Sequence, residues 1–216
     1  MYTIIIIIIC FLAGLAGYLF YVFFNRDPKR NSPLGNNIVS PADGKIIEIL
    51  IIDNIKQLAI FKGLLGKIYS VIEDIGDGPY CLISIFMSPL VVHVQRIPIS
   101  GNILKTKYVK GSLRVTNTLR AIDNERSETT INSKIGKIKV IQIAGLLARR
   151  IETWIKENEK VEKNQKLGII KLGSQVCIII PYNENINIKV KKHERVKAGE
   201  TILAEFDEKN VTGSNK

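Results

Sequence analysis

The sequence holds few of the side chains that usually carry catalysis or bind metals. Its 216 residues include only two histidines, His93 and His193, and three cysteines, Cys10, Cys81 and Cys177. It has no Gly-x-Ser-x-Gly elbow, no glycine-rich phosphate loop and no His-Glu-x-x-His motif. The cysteines show neither a paired metal spacing nor a disulfide framework, and they fit small core residues in a reducing compartment. The common hydrolase, nucleotide-binding and zinc-enzyme signatures are therefore excluded, and we predict no metal site.

Charged residues are absent from residues 2–24, which read YTIIIIIICFLAGLAGYLFYVFF. At about 1.5 Å per residue, a helix of this length crosses a hydrocarbon layer of about 30 Å. A cleaved signal peptide is the alternative, but nothing basic precedes Tyr2 and bulky aromatic residues end the segment. We therefore predict a transmembrane anchor over residues 1–24, a linker over 25–37 and a single folded domain over 38–216.

Basic residues outnumber acidic ones, 31 to 20, which gives a formal net charge of +11. Arg26, Lys29 and Arg30 directly follow the anchor, and by the positive-inside rule they place the folded domain on the cytoplasmic side of the cell membrane. Anionic membrane lipids are expected partners, because each Lys or Arg near an anionic leaflet gains about 1 kcal/mol. A solvated basic surface is the alternative. Nucleic acid is not expected, since the basic residues are scattered and no recognition motif accompanies them.

The chain beyond the linker is rich in short Ile and Val segments bounded by Gly, Asn, Asp or Pro, which are typical of β-strands. They predict a mostly β fold, a compact β-sandwich or barrel-like body behind one N-terminal transmembrane helix. Residues 144–157 fit either a helix or a strand, and residues 110–134 hold few apolar side chains, so we expect a mobile loop within them. The expected strands cover 45–52, 57–62, 80–87, 93–99, 136–143, 167–172, 176–180 and 186–190.

Residues 159–168 and 194–203 resemble each other, with a polar turn between hydrophobic flanks in both. Each predicts a β-turn-β unit. Paired turns of this kind occur in lipoyl and biotinyl carriers, so a membrane-anchored β-sandwich adaptor or carrier without enzymatic activity is a competing interpretation. A carrier needs a modifiable lysine at a tight hairpin tip, and neither turn clearly offers one.

Three short segments carry groups suited to chemistry: SPADGK at 40–45, FMSPLVVHVQRIP at 86–98 and KLGSQ at 171–175. Each alone has an ordinary structural interpretation, as a hairpin turn, a core histidine or a Gly-Ser turn. In this order, behind an apolar segment that ends FNRDP at 24–28, they resemble the phosphatidylserine decarboxylase family in its short, archaeal-type form. The resemblance runs from about residue 23 to residue 206, and an inactive relative that keeps the fold is a third interpretation.

The resemblance implies a pyruvoyl-dependent proenzyme that cuts itself between Gly173 and Ser174, into chains 1–173 and 174–216 that stay associated. Ser174 Oγ would attack the Gly173 carbonyl carbon, and the new N-terminus at position 174 would become a pyruvoyl group. Neither a metal nor pyridoxal phosphate is implied. The pyruvoyl group would form a Schiff base with the amine of phosphatidylserine and accept electrons as carbon dioxide leaves, which yields phosphatidylethanolamine.

Two histidines, an aspartate and an arginine become further candidates for the site. His93 is the expected proton donor in turnover or the base that activates Ser174, and Asp43 would orient it. His193, in a charged turn, is the poorer candidate. Larger bacterial members of the family have a second histidine where this chain has Arg96, which we expect either to bind the substrate's carboxylate or phosphate or to be structural. Exposed sheet edges favour a homodimer.

Overall fold

The computed structural model describes residues 2–52, 58–61, 67–70, 75, 78–110, 112–113, 122–123, 125–145, 150–171 and 174–207. Ser174 is among these residues. Gly173, the other half of the predicted cleavage site, lies outside them.

The described chain forms one helix followed by eighteen strands. The helix is α1 (Tyr2–Phe24), and the strands are β1 (Asn37–Val39), β2 (Gly44–Ile52), β3 (Leu58–Phe61), β4 (Lys67–Ser70), β5 (Tyr80–Met87), β6 (Val94–Arg96), β7 (Gly101–Val109), β8 (Ser112–Leu113), β9 (Ile122–Asp123), β10 (Arg126–Ser133), β11 (Gly136–Ile143), β12 (Arg150–Thr153), β13 (Lys160–Val161), β14 (Lys166–Lys171), β15 (Ser174–Pro181), β16 (Ile186–Ile188), β17 (Arg195–Val196) and β18 (Ile202–Phe206).

Helix α1 is apolar along its whole length and lies almost entirely exposed, as a membrane span would outside its bilayer. Phe24 alone is buried among its described residues. Its length and composition suffice to cross a membrane. The prediction of a mostly β body behind one N-terminal helix that is long and apolar enough to span a membrane is confirmed.

A curled eight-stranded sheet in the order β13-β7-β10-β11-β15-β5-β2-β17 forms the centre of the body. The described strands also form two three-stranded sheets, β1-β18-β16 and β12-β14-β6, and two two-stranded sheets, β3-β4 and β8-β9. All of these pairings are antiparallel. The barrel-like body expected from the sequence is therefore confirmed, and β15, which begins at Ser174, lies between β11 and β5 near its middle.

The main core lies on one face of the eight-stranded sheet. Gln142, Val176, Ile85 and Ile46 are successive cross-strand partners in β11, β15, β5 and β2, and all four are fully buried. Side chains opposite one another across antiparallel strands share a face, so this row faces the interior together. A smaller cluster that includes Cys177 covers the opposite face. Both faces of β15 are thus closed to water around the predicted site.

The two sequence-related segments do form β-turn-β units, β13 to β14 and β17 to β18. Asn164 and Gly199 occupy equivalent positions in the two turns and share a left-handed backbone, with φ of 73° and 74°. The turns pack tightly on each other: a Cβ added to Gly199 would lie 2.0 Å from Asn164 Oδ1. A residue larger than glycine at position 199 would therefore meet both a strained backbone and a steric clash.

Residues 110–134 differ from the expected loop at their C-terminal end. Arg126–Ser133 forms β10, an interior strand of the eight-stranded sheet, paired with β7 and β11. Its polar side chains Ser127, Glu128, Thr129 and Thr130 are buried. The loop expected within residues 110–134 therefore does not include residues 126–133, where Ser127 Oγ lies 3.0 Å from Thr153 Oγ1 of β12 and Glu128 pairs with Lys139 of β11 at 3.2 Å. Residues 114–121 lie outside the described residues.

Candidate active site

Ser174 is the first residue of β15 and is 1% exposed. It is the cross-strand partner of Met87, the last residue of β5, and its Oγ lies 3.4 Å from Met87 Sδ. A thioether is a weak acceptor, so this hydroxyl has no strong acceptor among the described residues. It is held in place without being engaged in a strong hydrogen bond.

His93 precedes β6 and is fully buried. Its Nδ1 lies 2.8 Å from the carbonyl oxygen of Val91. A carbonyl oxygen can only accept a hydrogen bond, so in the neutral ring Nδ1 carries the hydrogen. Nε2 then presents its lone pair, and it has no hydrogen-bond partner among the described residues. A buried ring nitrogen with a free lone pair is suited to accept a proton.

The backbone of His93 is fixed beside the strand that leads to the predicted cleavage site. Its carbonyl oxygen accepts a hydrogen bond from the amide of Ile170 at 3.4 Å. Ile170 belongs to β14, which ends at Lys171, and Ser174 begins the next strand. His93 therefore lies next to the chain just before the undescribed residues 172–173.

Burial lowers the pKa of His93 to about 4, and the positive charge of Arg26 acts in the same direction. The hydrogen bond to Val91 and the negative charge of Asp43 oppose this shift without cancelling it. The imidazole is thus neutral near pH 7. Of the two roles that the sequence left open for His93, this favours a base over a proton donor.

A buried polar network joins His93 to Ser174 and runs on into the core. Gln95 Nε2 donates to the His93 carbonyl oxygen at 2.7 Å and to Met87 Sδ at 3.5 Å. Gln95 Oε1 accepts from Gln142 Nε2 at 2.9 Å. Through Met87, this amide therefore links both predicted catalytic residues. Sequence reasoning missed Gln95 and Gln142, and the position of Gln95 two residues after His93 was the available signal.

Asp43 is paired with groups other than His93. Both of its oxygens lie 2.9 Å from Arg30 Nη2, and Oδ1 also accepts from the amide of Ala198 at 2.8 Å. In the other β-turn-β unit, Lys163 is equivalent to Ala198, and its amide donates to Ser100 Oγ at 2.9 Å. This contact of Asp43 therefore has a counterpart where no catalysis is expected. The influence of Asp43 on His93 is electrostatic.

Arg96 lies in β6 and is 8% exposed. Its guanidinium pairs with Asp27 and donates to the carbonyl oxygen of Asn164 at 3.0 Å. Lys166 also pairs with Asp27, at 2.6 Å. Arg96 therefore holds the segment after α1 against the body, and an anionic substrate group would have to exchange with Asp27 to reach it.

The structure also places the second histidine and the three cysteines. His193 is exposed in a turn before β17, with φ of 74°. Cys81 and Cys177 are buried free thiols, and Cys10 is exposed on α1. Burial raises the pKa of Cys81 to about 11, so it is a small core residue rather than a nucleophile. Within the described chain no three His, Cys, Asp or Glu side chains group in a way that could hold a metal ion.

Comparison with known proteins gives a consistent result over nearly the whole body. The family model described as phosphatidylserine decarboxylase matches residues 18–204. A protein of Methanocaldococcus jannaschii named as an archaetidylserine decarboxylase proenzyme is 44% identical over 189 residues, which cover 86% of this chain and 89% of the relative.

Two further relatives agree with it. A protein of the same name from Methanothermobacter thermautotrophicus is 39% identical over 87% of this chain and 81% of its own. A phosphatidylserine decarboxylase proenzyme of Chlorobaculum tepidum is 37% identical over 89% of this chain and 81% of its own. The residues around Ser174 and His93 thus lie inside the matched region, and this chain belongs to the phosphatidylserine decarboxylase family.

Proposed function

We propose that this chain matures by cutting itself between Gly173 and Ser174, and then decarboxylates phosphatidylserine to phosphatidylethanolamine. The observation that carries the proposal is the buried Ser174 hydroxyl, weakly bonded to Met87 Sδ, in a network with a neutral His93 whose Nε2 is unpartnered among the described residues. The relatives are named for archaetidylserine or phosphatidylserine, and both names specify a lipid with a serine head group.

Self-cleavage begins when Ser174 Oγ loses its proton and attacks the Gly173 carbonyl carbon. The peptide C–N bond breaks as the C–O bond forms, and the nitrogen of Ser174 takes up the proton. The ester then eliminates: a base removes the Cα proton of residue 174, the Cβ–O bond breaks, Gly173 leaves as a carboxylate, and position 174 becomes dehydroalanine. Its imine tautomer reacts with one water molecule and releases ammonia, which leaves a pyruvoyl group at the new N-terminus.

His93 is the base in this account. Its Nδ1–H is committed to Val91, so Nε2 is the nitrogen that can take the Ser174 proton and return it to the leaving amine. We assign Asp43 an electrostatic role, because its negative charge raises the proton affinity of His93 against the effect of burial.

The pyruvoyl group would be made from residue 174 itself, so the site needs no other side chain to hold it. When formed, the group supplies a carbonyl that withdraws electrons from the carbon losing carbon dioxide. The chain's residues do the rest: β11 and β5 hold β15 on both sides, and the core around Val176 excludes water. Neither a metal nor pyridoxal phosphate enters this account.

The two chains produced by cleavage would stay together. In the folded chain, β15, β17 and β18 all follow the cleavage site, and they pair with β11, β5, β2 and β1, which precede it. Breaking one peptide bond leaves these ladders and the shared core intact. A homodimer through the edges of the eight-stranded sheet stays a prediction.

For Arg96 we propose a contact with the substrate's carboxylate or phosphate after exchange with Asp27. A guanidinium binds either group through two parallel hydrogen bonds. The segment after α1 places Arg96 next to Asp27, close to the end of the membrane-spanning helix, where a lipid head group would be.

We further propose that α1 anchors the body on the cytoplasmic side of the cell membrane, where its basic surface meets anionic lipids. The full chain should stay in the membrane fraction in high salt and in alkaline carbonate. Protease added outside intact cells should leave the body uncut. Release by salt alone would contradict the anchor, and digestion from outside would contradict the orientation.

The activity is tested by adding the purified full chain to vesicles that contain phosphatidylserine and measuring carbon dioxide release and phosphatidylethanolamine. Ser174→Ala should abolish both. Ser84→Ala is the matched control, because Ser84 is also a fully buried serine of the central sheet, with Oγ 3.4 Å from Cys177 Sγ. An adaptor or carrier would release no carbon dioxide even as wild type, and that result would overturn the proposal.

A further inference from the structure

The membrane-spanning helix ends inside the candidate site. Phe24, its last residue, is 5% exposed, whereas the other described residues of α1 are exposed. The Phe24 ring packs on the His93 imidazole with 4.0 Å between centroids and 31° between planes. Two rings this close cover each other's faces, so Phe24 is the contact that separates one face of His93 from solvent.

The end of the helix is fixed to the loop that carries His93. Arg26 Nη2 donates to the carbonyl oxygen of Leu90 at 2.7 Å, and its guanidinium lies 3.6 Å from the Phe23 ring centroid. The next residue, Asp27, pairs with Arg96 and Lys166. The chain is therefore held on both β6 and β14, the two strands that flank His93, immediately after Phe24.

We propose that Phe24 is a positioning residue for His93, so that the membrane anchor itself completes the active site. This rests on the proposed function, in which His93 accepts the Ser174 proton. Rotation of the imidazole by half a turn about its Cβ–Cγ bond would put carbon atoms, Cδ2 and Cε1, where Nδ1 and Nε2 lie, and would break the bond to Val91. The Phe24 ring restricts that rotation and keeps water from hydrating Nε2. A helix that ended without this contact would anchor the protein but leave the base exposed.

The environment of His93 also contains two charged groups, Arg26 on the segment after α1 and Asp43 in the turn before β2. Their effects on the imidazole oppose each other. His93 also contacts the Phe24 ring, the backbone of Val91 and Ile170, and the Gln95 amide. Removal of Phe24 leaves all of these groups in the chain, so a change in His93 would report the loss of the ring.

The test uses the full chain in phosphatidylcholine nanodiscs, as wild type, Phe24→Ala, Phe24→Leu and Phe11→Ala. Phe11 lies on the same helix, is 68% exposed, and serves as the matched control. Diethyl pyrocarbonate labels accessible imidazoles, and peptide mass spectrometry compares the extent of labelling of His93 with that of the exposed His193. We expect Phe24→Ala to raise the labelling of His93 relative to His193 by about tenfold, because a local cover is lost. Phe11→Ala should leave it unchanged.

Self-cleavage gives the second readout. Phe24→Ala should slow it, and the pH below which it fails should move up toward the ordinary histidine pKa of about 6.5. Phe24→Leu keeps an apolar cover, so it should recover most of the protection and most of the rate. Phe24→Ala that matches Phe11→Ala in labelling and in pH profile would overturn the inference, as would slower cleavage with unchanged labelling. A wild type that never cleaves would refute the proposed function, while the labelling would still decide whether Phe24 covers His93.

Discussion

His93 donates its Nδ1 proton to the carbonyl oxygen of Val91 at 2.8 Å, and this bond decides which ring nitrogen can act as a base. The lone pair is on Nε2, which is buried and unpartnered among the described residues. His93→Gln keeps a polar side chain but no titratable nitrogen. We expect self-cleavage to slow by about 10² to 10⁴-fold, the usual contribution of a general base, in a time course of intact and cut chain.

His193→Asn is the control for this substitution, because asparagine tolerates the left-handed backbone at position 193. It should cleave at the wild-type rate. Cleavage of His93→Gln at the wild-type rate would remove His93 from the mechanism.

The pH dependence of self-cleavage follows from the low pKa of His93, which burial holds at about 4. An exposed histidine base would fail below about pH 6.5. Here the rate should stay level down to about pH 5 and fall as the pH approaches the folded pKa. A rate that halves near pH 6.5 would show that the imidazole is hydrated during the reaction.

The low pKa of His93 also makes the stability of the folded chain depend on pH. His93 binds its proton at about pH 4 when folded and at about 6.5 when unfolded, so the unfolded chain holds more protons between these values. The His93 contribution to stability is therefore complete above about pH 6.5 and is lost as the pH falls toward 4.

Arg96 and Asp27 form an ion pair, and each partner can be replaced separately. Arg96→Lys keeps the charge but loses the guanidinium fork, and Asp27→Asn leaves the fork intact. If Arg96 binds the substrate's anionic group, the KM for phosphatidylserine should rise severalfold in Arg96→Lys and fall in Asp27→Asn, which removes the competing carboxylate. Equal effects in the two variants would assign Arg96 to holding the segment after α1.

Glu128 on β10 is buried with Lys139 at 3.2 Å and Arg126 at 2.9 Å. Burial raises its pKa, but the hydrogen bonds and charges of Arg126 and Lys139 outweigh burial and leave the pKa below its ordinary value. Its stabilisation is therefore present above about pH 4.3 and lost as the pH falls through the folded pKa. Glu128→Gln should lower the free energy of unfolding by about 3 to 5 kcal/mol at pH 7.

Glu152→Gln is the matched control, since Glu152 pairs with Arg150 and Lys171 at a half-exposed site. Its loss should cost at most about 1 kcal/mol. Thermal unfolding of both variants in the same detergent makes the comparison. Equal losses would mean that the buried pair gives the sheet no more than a surface pair does.

The strands that could be predicted from the sequence are those with continuous apolar runs. Tyr80–Met87 and Gly136–Ile143 form as predicted, because Ile and Val alternate or run together there. Arg126–Ser133 was missed because four of its five buried residues are polar; two of these, Ser127 and Glu128, bond to side chains on other strands. Gly101–Val109 was missed because just one of its residues, Ile103, is buried.

Some residues of the candidate site could likewise be predicted from the sequence and others could not. Ser174, His93 and Asp43 could be named because each belongs to a short motif. Phe24 could not, because its contact with His93 joins the last residue of an apolar helix to a loop far along the chain. Nothing in a membrane-spanning sequence marks one phenylalanine as the residue that enters a site.

Self-cleavage is the central claim, and the intact mass of the purified full chain tests it most directly. The account predicts two chains that meet between Gly173 and Ser174, with the smaller one blocked to Edman degradation by its pyruvoyl group. Ser174→Ala should give a single uncut chain. A wild-type protein that remains one chain of 216 residues, with the hydroxyl of Ser174 still present, would contradict it.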